Sequence, residues 1–522
     1  MKFLMTSAYG TREKNVFCLT SDNWDDFSYR TTFNANYRDN KGIVYQIGYV
    51  KIGQIGMEDN KRKPDLQNTF EKLSEAFFSV GQNDDYYENI KNLGDEIRAD
   101  ILMSLRDMAF NLEILEKCIY EEVTRVSLLR GLSENTVKQQ FNRIANGGAR
   151  LTSYNFGYSF PSKITCQNAT YCVENPASLF FRVKPESNPP TNIHVIIGQN
   201  GVGKTFLINN IINAAMGVSD PENSGYFYSL DNEQEIPACD LFANIICVSF
   251  SAFDDLPSRS IYATETCKLP CVFIGLDRSI NRQEKSSFDN AVDSRMVALA
   301  NEFSNSLKKC LTSISKNDLW HKAITILGND EFFLESGISK IENADYSESF
   351  DKAVNQKFLS LSSGHKIILL TVTRLIEYVE EKSLIIFDEP ETHLHPPLLS
   401  SFIRALSDIL IQKNGVAIVA THSPVILQEV PASCVWKMQR SGTVVSLERL
   451  RQETFGTNIN ALIREVFGLE VEKSGFNKLL SDALQKTDYN FSSIIDSFNN
   501  ELGDEAKALV RMLIAQNSGG NQ

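Results

Sequence analysis

Three short segments carry the residue types that phosphate chemistry needs. Residues 196–205 read IIGQNGVGKT, in which Gly198, Gly203, Lys204 and Thr205 fit G-x-x-x-x-G-K-[ST]. The stretch before it, IHVII, has the apolar run of a strand, and TFLINNIINAA after it reads as a helix, which is the context this spacing requires. Glycines, with Asn200 and Gly201 between them, let the loop's N–H groups wrap phosphate oxygens. Lys204 then reaches the β- and γ-phosphates as a compact cation, and the Thr205 hydroxyl takes a place on Mg²⁺. The second segment, SLIIFDEPETHLHP, runs four apolar residues, Leu384 to Phe387, into Asp388 and Glu389. Carboxylates at a strand's C-terminal end stand where α/β sheets bind ligands. Asp388 suits Mg²⁺, and Glu389 suits polarisation of an attacking water. The third, GVAIVATHSP, ends an apolar strand on Thr421 and His422, and His422 is placed to contact a γ-phosphate and that water.

A fourth segment, FLSLSSGHKIILL, opens an apolar helix with Ser362, Ser363 and Gly364. A helix start exposes unpaired N–H groups and a positive dipole end, so small residues there admit an anion. The hydroxyls and the Gly364 N–H read as suited to a phosphate rather than to a cap. His393 and His395 lie two apart beside Glu391, but a third ligand at usual zinc spacing is missing.

These residues need a fold to hold them. At 522 residues the chain is too long for one core, and two to four domains are expected. Residues 1 to about 60 alternate apolar and polar residues as strands do; from Pro64 to about Ala145 the spacing predicts helices, as in TFEKLSEAFFSV and in the face formed by Ile101, Leu105, Met108 and Leu112. β character returns after NGGAR. The expectation is an α/β chain with an N-terminal β-plus-helical region over 1–150, a P-loop ATPase domain over 151–440 with a helical insert at about 277–356, and a helical tail over 441–522.

A net charge of −13 argues against a surface that is basic throughout and grips nucleic acid nonspecifically. The ten cysteines are scattered and read as buried reduced thiols. The N-terminus lacks a signal-peptide core, and no run reaches the roughly 20 apolar residues that span a bilayer. A cytoplasmic protein without membrane contact is expected.

The order of the four segments resembles the ABC-class ATPases, in the soluble branch related to SMC, RecF and the overcoming-lysogenization-defect ATPases. Through DEPETHLHP, THSP, VSFSAFDDLP and the tail ETFGTNINALIREVFGLEV, the chain is similar to the standalone ATPases of bacterial antiphage systems, PtuA of Septu and retron systems and AriA of PARIS. That resemblance implies ATP and Mg²⁺ as cofactors. It makes Leu361 to His365 the signature motif, which in that family closes over the nucleotide of a second subunit, and makes Pro390 to Pro396 the loop coupling two sites across a dimer. It also implies a homodimer or higher oligomer that controls a partner nuclease, with DNA or RNA as possible partners through the assembly. The family's glutamine after the next strand is not evident here; Ser249, Ser251 and Asp254 stand in its place, and Tyr158, Phe160 and Phe180 are candidates for adenine stacking. A DNA repair or chromosome-maintenance ATPase acting on DNA directly is the alternative, one that long coiled-coil arms would favour.

Overall fold

Alternation of apolar and polar residues between Val16 and Gln54 builds an antiparallel set of strands, since side chains two apart share a face. In the computed structural model the sheet contains β1 (Lys2–Leu4), β2 (Val16–Ser21), β3 (Thr32–Arg38), β4 (Val44–Gln54), β5 (Thr69–Phe70) and β6 (Phe77–Gly81), in the order β5-β1-β2-β3-β4-β6. The residues described are 1–522 except 23–27, 58–62, 167–168, 173–176, 219, 250–268, 276–287, 329–330, 336–337, 339–347, 442–443, 474, 487–489 and 520–522. Phe17, Leu19, Phe33, Val50, Ile52, Phe78 and Val80 bury one core with Tyr86, Tyr87 and Ile101 from the helices that follow and with Leu105 and Met108 from the turn between two of them.

Two helical expectations are corrected. TFEKLSEAFFSV contributes β5 and β6 instead of a helix, because β6 pairs antiparallel with β4 from Gln54↔Phe77 to Val50↔Gly81 and buries Phe78 and Val80 there. Its aromatic and β-branched residues suit a half-buried pleated surface, and tertiary pairing outweighs periodicity. The helix carrying Ile101 stops at Ser104, and a second begins at Leu112. Arg106 turns left-handed at φ 52°, and the Asp107 carboxylate takes the N–H groups of Ala109 and Phe110, each at 2.9 Å, diverting them from a helix.

Beyond β7 (Tyr154–Ser159) lie a hairpin of β8 (Lys163–Cys166) and β9 (Ala169–Cys172), then β10 (Ser178–Val183), β11 (Ile193–Ile197), β12 (Tyr226–Tyr228), β13 (Ile245–Ser249), β14 (Cys271–Gly275), β15 (Leu384–Asp388), β16 (Val416–Thr421), β17 (Val435–Ser441) and β18 (Val444–Glu448). Strands β10-β7-β12 form a small antiparallel sheet. The main sheet has seven strands in the order β14-β13-β15-β16-β11-β17-β18. Neighbours β14, β13, β15 and β16 are parallel, β17 runs parallel to β11, and β18 runs antiparallel to β17. Every residue of β11, β13, β15 and β16 is buried, which explains their predominantly apolar composition: a parallel strand covered on both faces has no polar side.

The chain divides into two compact units, one of Met1–His194 with Thr205–Ala420, the other of Val195–Lys204 with Thr421–Gln522. The first holds the N-terminal sheet and the helices Phe288–Leu311, Ile314–Leu327, Glu348–Ser360, Ser363–Tyr378 and Pro396–Lys413. The second ends in the helices Ile459–Lys473, Gly475–Lys486, Phe491–Ser497 and Asp504–Gly519, the last three packed around Leu480, Leu484, Ile494 and Val510. The tail expected to be helical over 441–522 is helical from Ile459 on; its beginning is corrected, because Val444–Glu448 pairs with β17 as the strand β18.

Candidate functional site

The phosphate loop leaves β11 at Gly198. A Cβ there would meet the Met438 carbonyl oxygen at 2.5 Å, so only glycine lets β17 pass this close. Gly201 and Gly203 both have positive φ, 82° and 105°, the conformation that turns successive N–H groups toward a common centre. Asn200 is exposed at the tip. A helix then begins at Lys204, whose side chain is 5% exposed and folds back over the loop, Nζ donating to the carbonyl oxygens of Gly198 and Gln199 at 3.0 Å each. The ammonium is thereby held at the mouth of a nest of N–H groups, the arrangement that binds a polyphosphate. In the same unit Thr421 ends β16, its hydroxyl accepting the Ser423 N–H at 2.9 Å, and the half-buried His422 lies between them.

In the other unit Thr205 occupies the first turn of the helix Lys204–Met216. Asp388 ends β15, 3% exposed and opposite Ala420 of β16. Glu389 carries the pairing one step further, its N–H donating to the Ala420 carbonyl at 2.9 Å, and then turns left-handed at φ 45°, ψ 59°. A non-glycine residue held there is strained by of order 1 kcal/mol, a cost that persists where surroundings over-determine it and that clusters at functional positions. The turn is locked by Thr392, whose hydroxyl donates to the Glu389 carbonyl at 2.8 Å. The hydroxyl of Thr205 and the carboxylate of Asp388 are hard oxygen donors of the kind Mg²⁺ takes, so the residues present fit that ion.

The helix Ser363–Tyr378 begins as its sequence predicts but is capped by its own serine. Ser362 accepts the His365 N–H at 3.4 Å and meets the His365 Nδ1 at 2.7 Å. The expectation that this hydroxyl does not act as a cap is thereby corrected. Ser362 and Ser363 are exposed, whereas Gly364 and His365 are buried. His393 and His395 are exposed on the loop after Glu389, and no group of three potential metal-ligating side chains occurs among the described residues.

Sequence reasoning missed how this helix is gripped. Near its far end Glu377, 7% exposed, accepts from Ser306 Oγ at 2.6 Å and Lys309 Nζ at 2.7 Å; its carbonyl accepts from Lys316 Nζ at 2.7 Å. Burial works to raise the Glu377 pKa, but the hydrogen bonds from Lys309 and Ser306 prevail and lower it. Trp320 donates to Thr373 at 3.0 Å, and Arg374 pairs with Glu302 at 2.9 Å. A glutamate near the end of a largely apolar helix is the available signal. Of the residues replacing the family's glutamine, Ser249 is buried at the end of β13, while Ser251 and Asp254 lie outside the described residues. Tyr158 and Phe160 are core residues, and Phe180 is half-buried with Arg182 over its ring.

Residues 279–428 match the protein-family model described as "AAA domain, putative AbiEii toxin, Type IV TA system". Among solved structures, similar chains include an ATP-binding cassette of an ABC transporter in its ADP conformation, at 14% identity and a TM-score of 0.30 over 61% of this chain and 99% of that one. A nucleotide-free ATP-binding cassette from an ABC transporter is similar at 14% identity and a TM-score of 0.26, over 53% and 85%. Protein ea59 of Escherichia phage lambda is 38% identical over 528 residues, covering 97% of this chain and 96% of that protein. The chain, with its P-loop ATPase domain, therefore belongs to the family of protein ea59 of phage lambda.

Proposed function

We propose that this chain is a Mg²⁺-dependent ATP-hydrolysing switch that dimerises through its nucleotide and controls a partner nuclease in antiphage defence, in the manner of PtuA and AriA. The observation that carries the ATP reading is the phosphate loop, with Lys204 folded across two carbonyls beneath two positive-φ glycines. Lys204 neutralises the β- and γ-phosphates as they enter, exchanging carbonyl partners for phosphate oxygens. Glu389 accepts the proton of the water that attacks the γ-phosphorus, and His422 orients that water and the phosphate. When bound, Mg²⁺ supplies charge neutralisation at the leaving phosphates, and Thr205 and Asp388 would hold it.

Ser362, Ser363 and Gly364 complete the site of a second copy. The exposure of Ser362 and Ser363 supports this reading for the two serines, since a side chain that serves a neighbouring molecule must be reachable, while the buried Gly364 contributes by letting the helix start lie close to the loop at His393. The defence role is supported by the sources of the similarities: the domain description speaks of a toxin of a toxin–antitoxin system, and the relative is a phage protein. Two experiments test the switch. Glu389→Gln keeps the side chain's shape but removes the base, so ATP should persist and light scattering should show an ATP-dependent gain in mass; an unchanged mass in a variant that binds ATP contradicts nucleotide-gated dimerisation. Co-expression with the neighbouring reading frame should co-purify a nuclease. DNA cleavage by the chain alone contradicts the partner model.

A further inference from the structure

Within the first compact unit, a cavity of about 220 Å³ opens among the turn Gly131–Ser133, the segment 136–141, the start of the helix Ile314–Leu327 and the residues Val379–Glu381 that follow the helix Ser363–Tyr378. Its volume is that of about seven waters, below the range of drug-sized pockets and adequate for a small organic ion. The carboxylates that line it are already engaged. Asp84 is paired with Arg150 at 2.8 Å, Glu381 with Arg143 at 2.6 Å, and Glu380 accepts from Ser133 Oγ at 2.7 Å.

The donors are not so engaged. Lys413 lines the cavity with no ion-pair partner among the described residues, and Lys316 donates to a single neutral carbonyl, that of Glu377. Gln140 also lines it, is 1% exposed, and its Nε2 has no hydrogen-bond partner among the described residues. An orphaned buried amide costs about 1–3 kcal/mol and asks for an acceptor. Gln140 sits in a single π-helical turn, Val137–Phe141, an irregularity frequent at functional positions. Counting the paired acids with their arginines, the charges left facing the cavity are Lys316 and Lys413 against Glu380.

We propose that this cavity is a binding site for a small phosphate-bearing anion held by Lys316, Lys413 and Gln140. Burial pushes the Lys316 ammonium below its ordinary value, and repulsion from Lys413 adds to this against the opposing effect of Cys310, Glu377 and Glu380. An anion between the two lysines relieves that repulsion and supplies the missing acceptor for Gln140. Because Lys316 also holds the carbonyl of Glu377, an occupant braces the far end of the helix that begins at Ser362.

The site shares no residue with the phosphate loop, so it can be tested on a Lys204→Ala background, and its failure leaves the ATPase reading untouched. Calorimetric titration with inorganic phosphate, with glycerol 3-phosphate as a phosphomonoester, and with succinate as a carboxylate control distinguishes the sources. The expected result is saturable binding of at least one phosphate probe, tighter than succinate, weakened on the order of tenfold or more by Lys413→Ala and by Gln140→Met. Without ligand, Gln140→Met should keep or raise the melting temperature, since it removes an unpaired amide, which shows that lost binding is not lost folding. Binding as tight for succinate, no saturable phosphate binding, or binding indifferent to Lys413→Ala overturns the proposal.

Discussion

Gly364 lies against the main chain of His393: a methyl group added at Gly364 would sit 2.7 Å from the His393 carbonyl oxygen. The start of the serine-capped helix and the loop that follows Glu389 are therefore in direct contact, and glycine is what permits it. Since the obstacle is backbone, it cannot swing aside as a flexible side chain does.

Gly364→Ala should therefore displace the loop Pro390–His395 rather than unfold the chain. The expected outcome is a thermal midpoint lowered by a few degrees, for a cost of about 1–3 kcal/mol. ATP hydrolysis should fall on the order of tenfold or more while ATP binding is kept, because the substitution moves the loop beside Glu389 and spares the phosphate loop. A turnover assay beside an ATP-binding titration separates the two.

Glu389 carries backbone strain that glycine would relieve. Glu389→Gly should raise stability by up to about 1 kcal/mol, less the added entropy of the unfolded chain, while hydrolysis falls on the order of a hundredfold. Urea unfolding and a phosphate-release assay on the same preparation check it. A variant less stable than the parent would show that the side chain's contacts outweigh the strain.

These two residues show how much was legible in advance. The strands β11, β15 and β16 announce themselves because parallel strands buried on both faces leave nearly continuous apolar runs, broken in β11 only by His194, and the residues at their ends follow at once. The helix start at Ser363 is equally plain from its small residues. The left-handed turn at Glu389 is invisible in sequence, because it is imposed by the hydrogen bonds to Ala420 and from Thr392 and not by residue type. The grip of Ser306 and Lys309 on Glu377 joins residues about 70 positions apart, beyond any local pattern. At 69–80, helical spacing misled because pairing with β4 decided the conformation.

Asp107 gives the chain a pH signature. Burial raises its carboxyl to about 7, against hydrogen bonds from Phe110, Tyr87 and Ala109 that act to lower it. Between the unfolded value near 3.8 and that folded value, the folded chain binds more protons than the unfolded one. Stability from this group is thus full below about pH 4 and is lost as pH rises to about 7, at up to roughly 1.4 kcal/mol per unit. Asp107→Asn keeps an acceptor and cannot ionise. Chemical denaturation at several pH values between about 5 and 8 should show the parent losing stability relative to the variant as pH rises; parallel curves would contradict the assignment.

The central claim is that the loop from Gly198 to Lys204 holds the phosphates of ATP, and equilibrium binding of Mg·ATP to the purified chain and to Lys204→Ala tests it most directly. Lys204 is buried against two carbonyls, so the variant should first be shown to fold, by an unchanged far-UV spectrum. The account predicts saturable binding and slow hydrolysis by the parent, with affinity lost by on the order of a hundredfold or more and hydrolysis abolished in the folded variant. A folded Lys204→Ala chain that binds and hydrolyses ATP as the parent does would contradict it.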